Sequence, residues 1–144
     1  MLGLIQRVSE AKVVVDSETT GQIGRGLLLL LGVQKGDTGT NVSKMVHKVF
    51  NYRVFPDDKG HMNLSLKDIG GGLLIVPQFT IAADTGKGLR PSFSSAAAPE
   101  HANDLFTQFV NEASELLPVQ TGVFGADMKV GLINDGPVTF MLNT

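Results

Sequence analysis

Cysteine is absent from this chain of 144 residues. Its absence excludes a disulfide framework, a cysteine nucleophile and any metal site built on thiolates. Proteins without disulfides are common in the reducing cytosol, and we therefore expect a cytoplasmic protein.

Long apolar segments are missing as well. The longest apolar run, Leu27 to Leu31, is far too short to cross a membrane as a helix. Near the start of the chain, Arg7, Glu10 and Lys12 interrupt the apolar residues, so we expect no signal peptide. We accordingly expect no membrane partner.

Neither sign of charge is in large excess. The 12 basic and 14 acidic residues give a net charge of −2 at pH 7. At this balance charge alone does not hold nucleic acid, so an RNA partner would need a local patch and a fitting shape. Hydrophobic residues make up 42% of the chain, which is enough to build a core. The length suits one domain, which we expect to span residues 1–144.

The sequence patterns of several common active sites are also lacking. The three histidines lie far apart and form no H-x-x-H or H-x-x-x-H pair, so we expect no metal. The nucleophile elbow G-x-S-x-G, the Walker A pattern and the dinucleotide pattern G-x-G-x-x-G do not occur, and we expect no cofactor. We interpret the following carboxylates as solvated turn residues rather than as a catalytic pair: Asp57, Asp58, Asp84 and Asp127.

Hydrophobic periodicity predicts the secondary structure. Alternating or continuous apolar residues predict strands over 2–8, 11–16, 27–33, 73–79, 119–124, 127–133 and 137–143, with short extended pieces at 21–24 and 62–66. Helical spacing predicts helices over 41–53 and from Pro99 to Pro118. Residues 82–98 are predicted to form a long loop, and loops of this length in small domains are usually functional or disordered. This order indicates an α+β fold with the helices on one side of a mixed sheet.

Two short polar stretches stand out from this pattern. Gln78-Phe79-Thr80 ends an apolar strand, where alternation predicts Gln78 and Thr80 on one face and Phe79 on the other. Asn134 to Thr139 separates two strand-like runs and contains Asp-Gly-Pro, in which the proline has no N–H to donate to a ladder. On spacing alone, an ordinary strand end and a plain turn remain the simpler interpretations.

Together these stretches resemble the two signature motifs of the D-aminoacyl-tRNA deacylase family, Gln-Phe-Thr and Asn-x-Gly-Pro-x-Thr. The likeness continues along nearly the whole chain, at residues 4–8, 26–33, 52–55, 62–64, 89–94, 120–122 and 126–128. One position departs from the family, which usually has serine before Gln-Phe-Thr where this chain has Pro77. Pro77 removes both a hydroxyl and a backbone donor at that position.

The resemblance implies an enzyme that hydrolyses the ester bond at the 3′ end of D-aminoacyl-tRNA, and of tRNA mischarged with glycine. It implies a homodimer whose subunits are α+β domains, each a strongly curved, barrel-like mixed sheet with two helices packed against it. It also implies a cis Gly136–Pro137 peptide that enters the pocket of the other subunit. There its two carbonyl oxygens would hold the amino group of the substrate, with Arg7 fixing their orientation.

The same resemblance assigns roles to the other motif residues. Gln78, Phe79 and Thr80 are the implied catalytic residues, and the backbone amides of Phe79 and Thr80 are suited to stabilise an oxyanion. The ribose 2′-OH of the tRNA would assist hydrolysis, although Thr80 as a nucleophile is an alternative. Asn134 and Thr139 complete the substrate-binding and chirality-selecting motif.

Further residues are assigned to contacts with the RNA. Phe124 and Met128 are candidates for the pocket of the terminal adenosine, or else are plain core residues. Lys87 and Arg90 in the long loop are candidates for phosphate contacts.

Chiral selection would come from exclusion. A rigid wall where an L side chain would lie would reject L-aminoacyl groups by clash, while D-aminoacyl groups and glycine would fit.

Two other functions remain open at this point. One is a non-catalytic nucleic-acid-binding module acting at replication origins or chromatin, against which the weak net charge counts. The other is a hydrolase of different acyl or peptidyl esters.

Overall fold

One long strand organises the sheet. In the computed structural model, which describes residues 1–144, β1 (Leu2–Val15) pairs antiparallel with three other strands. Its first half lies between β3 (Gly26–Gly32) and β8 (Lys129–Asn143), and its second half between β2 (Glu18–Ile23) and β8. The prediction of two separate strands over 2–8 and 11–16 is wrong because β8 pairs along both halves and keeps the chain extended between them.

The remaining strands extend the sheet on the other side of β3. They are β6 (Gly72–Pro77), parallel to β3, and β7 (Val119–Thr121), parallel to β6. The strand order is therefore β2-β1-β3-β6-β7, with β8 as the third partner of β1. A separate antiparallel ribbon contains β4 (Phe55–Pro56) and β5 (Met62–Leu64). The helices are α1 (Gly39–Asn51), α2 (Leu66–Ile69) and α3 (Pro99–Ser114), and a 3₁₀ turn covers Phe79–Ala82.

The two edges of this sheet approach each other. A Cβ atom added to Gly21 of β2 would lie 2.7 Å from the carbonyl oxygen of Thr121 in β7. Only a residue without a side chain allows this approach, and the mixed sheet curls into a nearly closed barrel. The predicted α+β fold with a strongly curved, barrel-like sheet is confirmed.

The run from Leu27 to Leu31 is apolar throughout because its strand is buried on both faces of the sheet. Leu27 and Leu29 belong to the larger core, which lies between the sheet and the helices. Leu28 belongs to a smaller core on the opposite face, with Leu74 among its neighbours. A continuous apolar run is typical of a strand that is buried on both faces.

Two of the helices follow their predicted patterns. The apolar stripe of α1 is buried against the sheet and consists of Val42, Met45, Val46, Val49 and Phe50. Pro99 occupies the first turn of α3, as predicted, although that helix ends at Ser114, a turn earlier than expected. None of the helices in this chain has the length and apolar character needed to cross a membrane.

A third helix, the single turn α2, was not predicted. Ser65 and Asp68 form a capping box at its start, since the Asp68 amide donates to the Ser65 hydroxyl oxygen (3.1 Å) and the Ser65 amide to the Asp68 carboxylate (2.8 Å). Gly70, in the left-handed conformation, ends it. Its four residues are too few to show helical periodicity in the sequence.

The close pairing of β3 with β6 depends on Gly26. A Cβ atom at this position would lie 1.9 Å from the carbonyl oxygen of Gly72, whereas one at Gly24 would meet no atom within 4 Å. We expect Gly26→Ala to lower the free energy of unfolding by about 3 kcal/mol because the strands must separate to admit a methyl group. Gly24→Ala is the matched control and should unfold within about 0.5 kcal/mol of the parent in urea. Equal urea midpoints for the two variants would contradict this packing.

Candidate active site

Residues 135–138 bulge out of β8. The strand pairs with β1 up to Asn134, opposite Val8, and resumes at Thr139, opposite Gln6. The predicted turn between two strands over 127–133 and 137–143 is therefore wrong. Both runs belong to one strand, because both pair with β1 rather than with each other.

Side chains at the two ends of the bulge hold it closed. The Asn134 Oδ1 accepts a hydrogen bond from the amide of Val138 (3.0 Å), and its Nδ2 donates to the Thr139 hydroxyl oxygen (2.9 Å). That oxygen also accepts a hydrogen bond from Gln6 Nε2 (3.2 Å). Asn134 and Thr139 thus lie at the neck of the bulge and define its shape.

Arg7 is the residue of β1 that faces the bulge. Its Nε donates to the carbonyl oxygen of Asp135 (2.9 Å) and its Nη1 to the carbonyl oxygen of Val54 (2.6 Å). The carboxylate of Asp135 lies 3.7 Å from Nε, and the Arg7 side chain is 13% exposed. Arg7 therefore ties the bulge to the segment that follows α1.

Gly136 is required at the tip of the bulge by its conformation. Its φ of +137° lies in a region that side chains disfavour, and the Gly136–Pro137 peptide is cis. A Cβ atom there would also lie 2.7 Å from the Val138 side chain and 3.0 Å from the Arg7 guanidinium. A side chain at this position would therefore strain the backbone and displace Val138 or Arg7.

The Gln78–Thr80 motif forms a turn rather than a strand end. Strand β6 ends at Pro77, and the Gln78 amide makes the last ladder bond, to the carbonyl oxygen of Leu31 (2.8 Å). The prediction of a strand through Phe79, with alternating faces, is wrong because the chain enters a 3₁₀ turn there. The amides of Phe79 and Thr80 are the first two of this turn and have no acceptor within it.

A pocket of about 370 Å³ opens beside this turn. Its lining is mostly apolar and consists of Leu31, Val33, Pro77, Gln78, Phe79, Phe93, Ala96, Ala97, Pro99, Ala102, Phe106, Phe124 and Gly125. Gln78, Phe79 and Phe124, all of them candidate site residues, are thus brought together. The volume and the aromatic lining suit a nucleoside.

Met128, the other candidate for that pocket, lies behind the lining. Its sulfur accepts a hydrogen bond from the amide of Val123 (3.3 Å). It also lies 2.7 Å from the position that a Cβ atom of Gly122 would take. Met128 therefore supports the segment that leads to Phe124 instead of lining the pocket.

The pocket contains no obvious proton acceptor. The Thr80 hydroxyl accepts a hydrogen bond from Gln78 Nε2, and none of the 13 lining residues is a histidine or a carboxylate.

The carboxyl groups with shifted pKa values, Asp57 and Asp68, lie outside the pocket. Hydrogen bonds from the His61 and Lys59 amides hold the pKa of Asp57 below its usual range, and bonds from the Ser65 amide and hydroxyl lower that of Asp68. For Asp57 this agrees with its interpretation as a turn residue.

The bulge and the pocket are far apart within one chain. Leu31 of β3 lines the pocket and pairs with Gly3 of β1 on one side and with Pro77 of β6 on the other. The pocket thus lies at the level of Gly3 along β1. The bulge instead lies opposite Arg7, four residues further along β1, or about 13 Å at 3.3 Å per residue. Strands β1 and β3 also lie between β8 and β6, which adds about 14 Å across the sheet.

Sequence reasoning missed several residues of the site. The carbonyl oxygen of Val54 accepts a hydrogen bond from Arg7. Phe93, Ala96 and Ala97 line the pocket. Phe93 packs on Phe79 with ring centroids 5.0 Å apart. No periodicity marks these residues, because they lie in irregular segments whose position is set by the folded chain.

Comparison with known proteins gives one consistent family. The profile of the family described as D-Tyr-tRNA(Tyr) deacylase matches residues 4–143. A D-aminoacyl-tRNA deacylase of Marinobacter nauticus is 63% identical over 147 residues, which cover 100% of this chain and 94% of that protein. A D-aminoacyl-tRNA deacylase of Shewanella amazonensis is 59% identical over 143 residues and covers 99% of both chains.

Two solved structures resemble the fold. That of a c-Myc DNA unwinding element binding protein superposes with a TM-score of 0.96 at 37% identity, covering 100% of this chain and 99% of that one. That of a probable eukaryotic D-amino acid tRNA deacylase gives a TM-score of 0.78 at 18% identity, covering 99% and 98%. The second likeness, at this low identity, concerns the fold alone.

The role of Asn134 in closing the bulge is testable by amide hydrogen exchange. In Asn134→Ala the Val138 amide loses its acceptor, and we expect its exchange measured by NMR to be roughly five- to tenfold faster, as for loss of about 1 kcal/mol. Asn134→Asp is the control, since a carboxylate still accepts that bond and should keep the amide protected. Unchanged exchange in Asn134→Ala would show that another group closes the bulge.

Proposed function

Because this chain belongs to the D-Tyr-tRNA(Tyr) deacylase family, we propose that it removes D-amino acids, and mischarged glycine, from the 3′ end of tRNA while sparing L-aminoacyl-tRNA. The chain is a D-aminoacyl-tRNA deacylase and therefore a hydrolase. Its role would be proofreading in translation, carried out in the cytoplasm. No metal or cofactor takes part in the proposed reaction.

The observation that carries this proposal is the turn with two unbonded amides at the edge of a nucleoside-sized pocket. An aminoacyl ester is already reactive, so a catalyst needs mainly to position it and to stabilise the oxyanion that forms. With the terminal adenosine in the pocket, the ester would lie at the pocket mouth. The amides of Phe79 and Thr80 would then donate to its carbonyl oxygen.

Water would attack the ester with help from the substrate itself. The Thr80 hydroxyl is engaged by Gln78, and the lining offers no histidine or carboxylate to activate Thr80 as a nucleophile. The ribose 2′-OH next to the ester is the remaining hydroxyl that can relay a proton. We therefore favour assistance by the tRNA 2′-OH over a covalent Thr80 intermediate.

Selection of the D configuration is assigned to the bulge. Its main-chain carbonyl groups at Gly136 and Pro137 would accept hydrogen bonds from the substrate ammonium group. Arg7, bonded to Asp135 and Val54, would hold them in place. With the ammonium group and the ester both fixed, an L side chain would point into this wall, whereas a D side chain would point away from it and glycine has none.

A homodimer would bring the two motifs together. About 13 Å along β1 and about 14 Å across the sheet separate bulge and pocket in one chain, too far to contact one aminoacyl group. Large apolar side chains are exposed near both motifs, among them Phe79 at 60% and Met141 at 54%. We propose that the bulge of each subunit reaches the pocket of its partner and that these side chains are covered there.

A non-catalytic nucleic-acid-binding module is the second candidate. The structural likeness to a c-Myc DNA unwinding element binding protein favours it. The net charge of −2 counts against it, because binding to DNA is mostly electrostatic.

Incubation with D-Tyr-tRNA, Gly-tRNA and L-Tyr-tRNA tests the proposed function, with release of the free amino acid as the measurement. We expect the D ester and the glycyl ester to be hydrolysed at least about a hundredfold faster than the L ester, as for a clash that costs about 3 kcal/mol. Spontaneous hydrolysis of each ester without protein is the control. Equal rates for D and L would contradict chiral selection, and no hydrolysis of any ester would favour the binding module.

A further inference from the structure

The loop between the Phe79–Ala82 turn and α3 projects from the edge of the pocket. Residues 84–94 are exposed throughout. The Asp84 amide donates to the Ser92 carbonyl oxygen (2.8 Å) and the Ser92 amide to the Asp84 carbonyl oxygen (3.0 Å), which closes the loop at its base. The segment enclosed by these two bonds is the 84–92 loop.

The base of the 84–92 loop is fixed to the pocket. Phe93, the next residue, lines the pocket and packs on Phe79. Two residues later, the Ser95 hydroxyl donates a hydrogen bond to the carbonyl oxygen of Ala82. The carbonyl oxygen of Ser95 accepts a hydrogen bond from the Lys35 amide (3.0 Å). The loop therefore stands beside the pocket mouth in the folded chain.

The 84–92 loop carries cations without partners. Lys87 and Arg90 are exposed and neither forms an ion pair with a carboxylate. The one carboxylate of the loop, on Asp84, accepts a hydrogen bond from the Gly86 amide (2.8 Å) through its Oδ1. In a chain with a net charge of −2, two free cations beside the pocket form a local basic patch.

We propose that the 84–92 loop binds phosphates of the unpaired nucleotides that precede the terminal adenosine of the tRNA. The inference rests on the proposed function, because it takes the pocket as the site of that adenosine. The preceding strand must then leave through the pocket mouth, where the loop stands. Lys87 and Arg90 lie three residues apart, up to about 10 Å of chain, and are thus able to contact different phosphates.

The test compares two esters of D-tyrosine, one on tRNA and one on adenosine alone. Adenosine lacks the preceding phosphates, so the loop should matter for the first substrate only. In the Lys87→Ala/Arg90→Ala variant we expect the ratio of kcat/KM for D-Tyr-tRNA to that for D-Tyr-adenosine to fall roughly tenfold at 0.15 M salt. The slope of log kcat/KM for the tRNA against log salt should become shallower by about 1.4, because each single-strand phosphate that the protein neutralises contributes about 0.7 to it.

A variant with the same loss of charge elsewhere is the control. Lys12, opposite Gly131 on β1, and Lys44 of α1 are exposed and form no ion pair, and Lys12→Ala/Lys44→Ala should leave the ratio unchanged. An unchanged ratio in Lys87→Ala/Arg90→Ala, or a change in its oligomeric state by light scattering, would overturn the role of the loop. A parent protein that hydrolyses neither ester would overturn the proposed function itself.

Discussion

The pairing of β1 with three strands is the constraint on which the rest of the structure depends. Because β8 pairs with β1 on both sides of Arg7, the chain between Asn134 and Thr139 has no ladder partner and must leave the sheet. The same β1 fixes β3, and β3 fixes the end of β6 from which the pocket is built. One strand register thus sets the position of the bulge and of the Gln78–Thr80 turn, and also their separation.

The residues of the bulge are explained by its backbone conformation and by the hydrogen bonds that hold it. Gly136 adopts a φ that side chains disfavour, and a Cβ atom at this position would come too close to Val138 and Arg7. Asn134 closes the neck, and Arg7 binds a carbonyl oxygen on one flank, so the main chain at the tip is held on both sides. A surface that is rigid and made of backbone can select between mirror-image substrates by shape, which a flexible side chain does less well.

Much of the core was predictable because its signal is local. The run Leu27 to Leu31 and the stripe of α1 report burial directly through their spacing. The bulge was not predictable from spacing, since two strand-like runs around Asp-Gly-Pro look the same whether they pair with each other or with β1. The pocket depends on residues such as Phe93, which reach it only through long-range packing. The resemblance to the family pointed to both motifs, and the structure adds their separation in one chain.

Subunit complementation tests the central claim, that bulge and pocket act across a dimer, most directly. Gly136→Val disables the bulge, while Phe79→Pro removes one proposed oxyanion amide at the first position of a helical turn, where proline is tolerated. Each variant alone should be inactive on D-Tyr-tRNA. Co-refolded in equal amounts they should recover about a quarter of the parent activity, because half of randomly mixed dimers are hybrids with one of two sites intact. No recovery, with hybrids present, would contradict an active site shared between the two subunits.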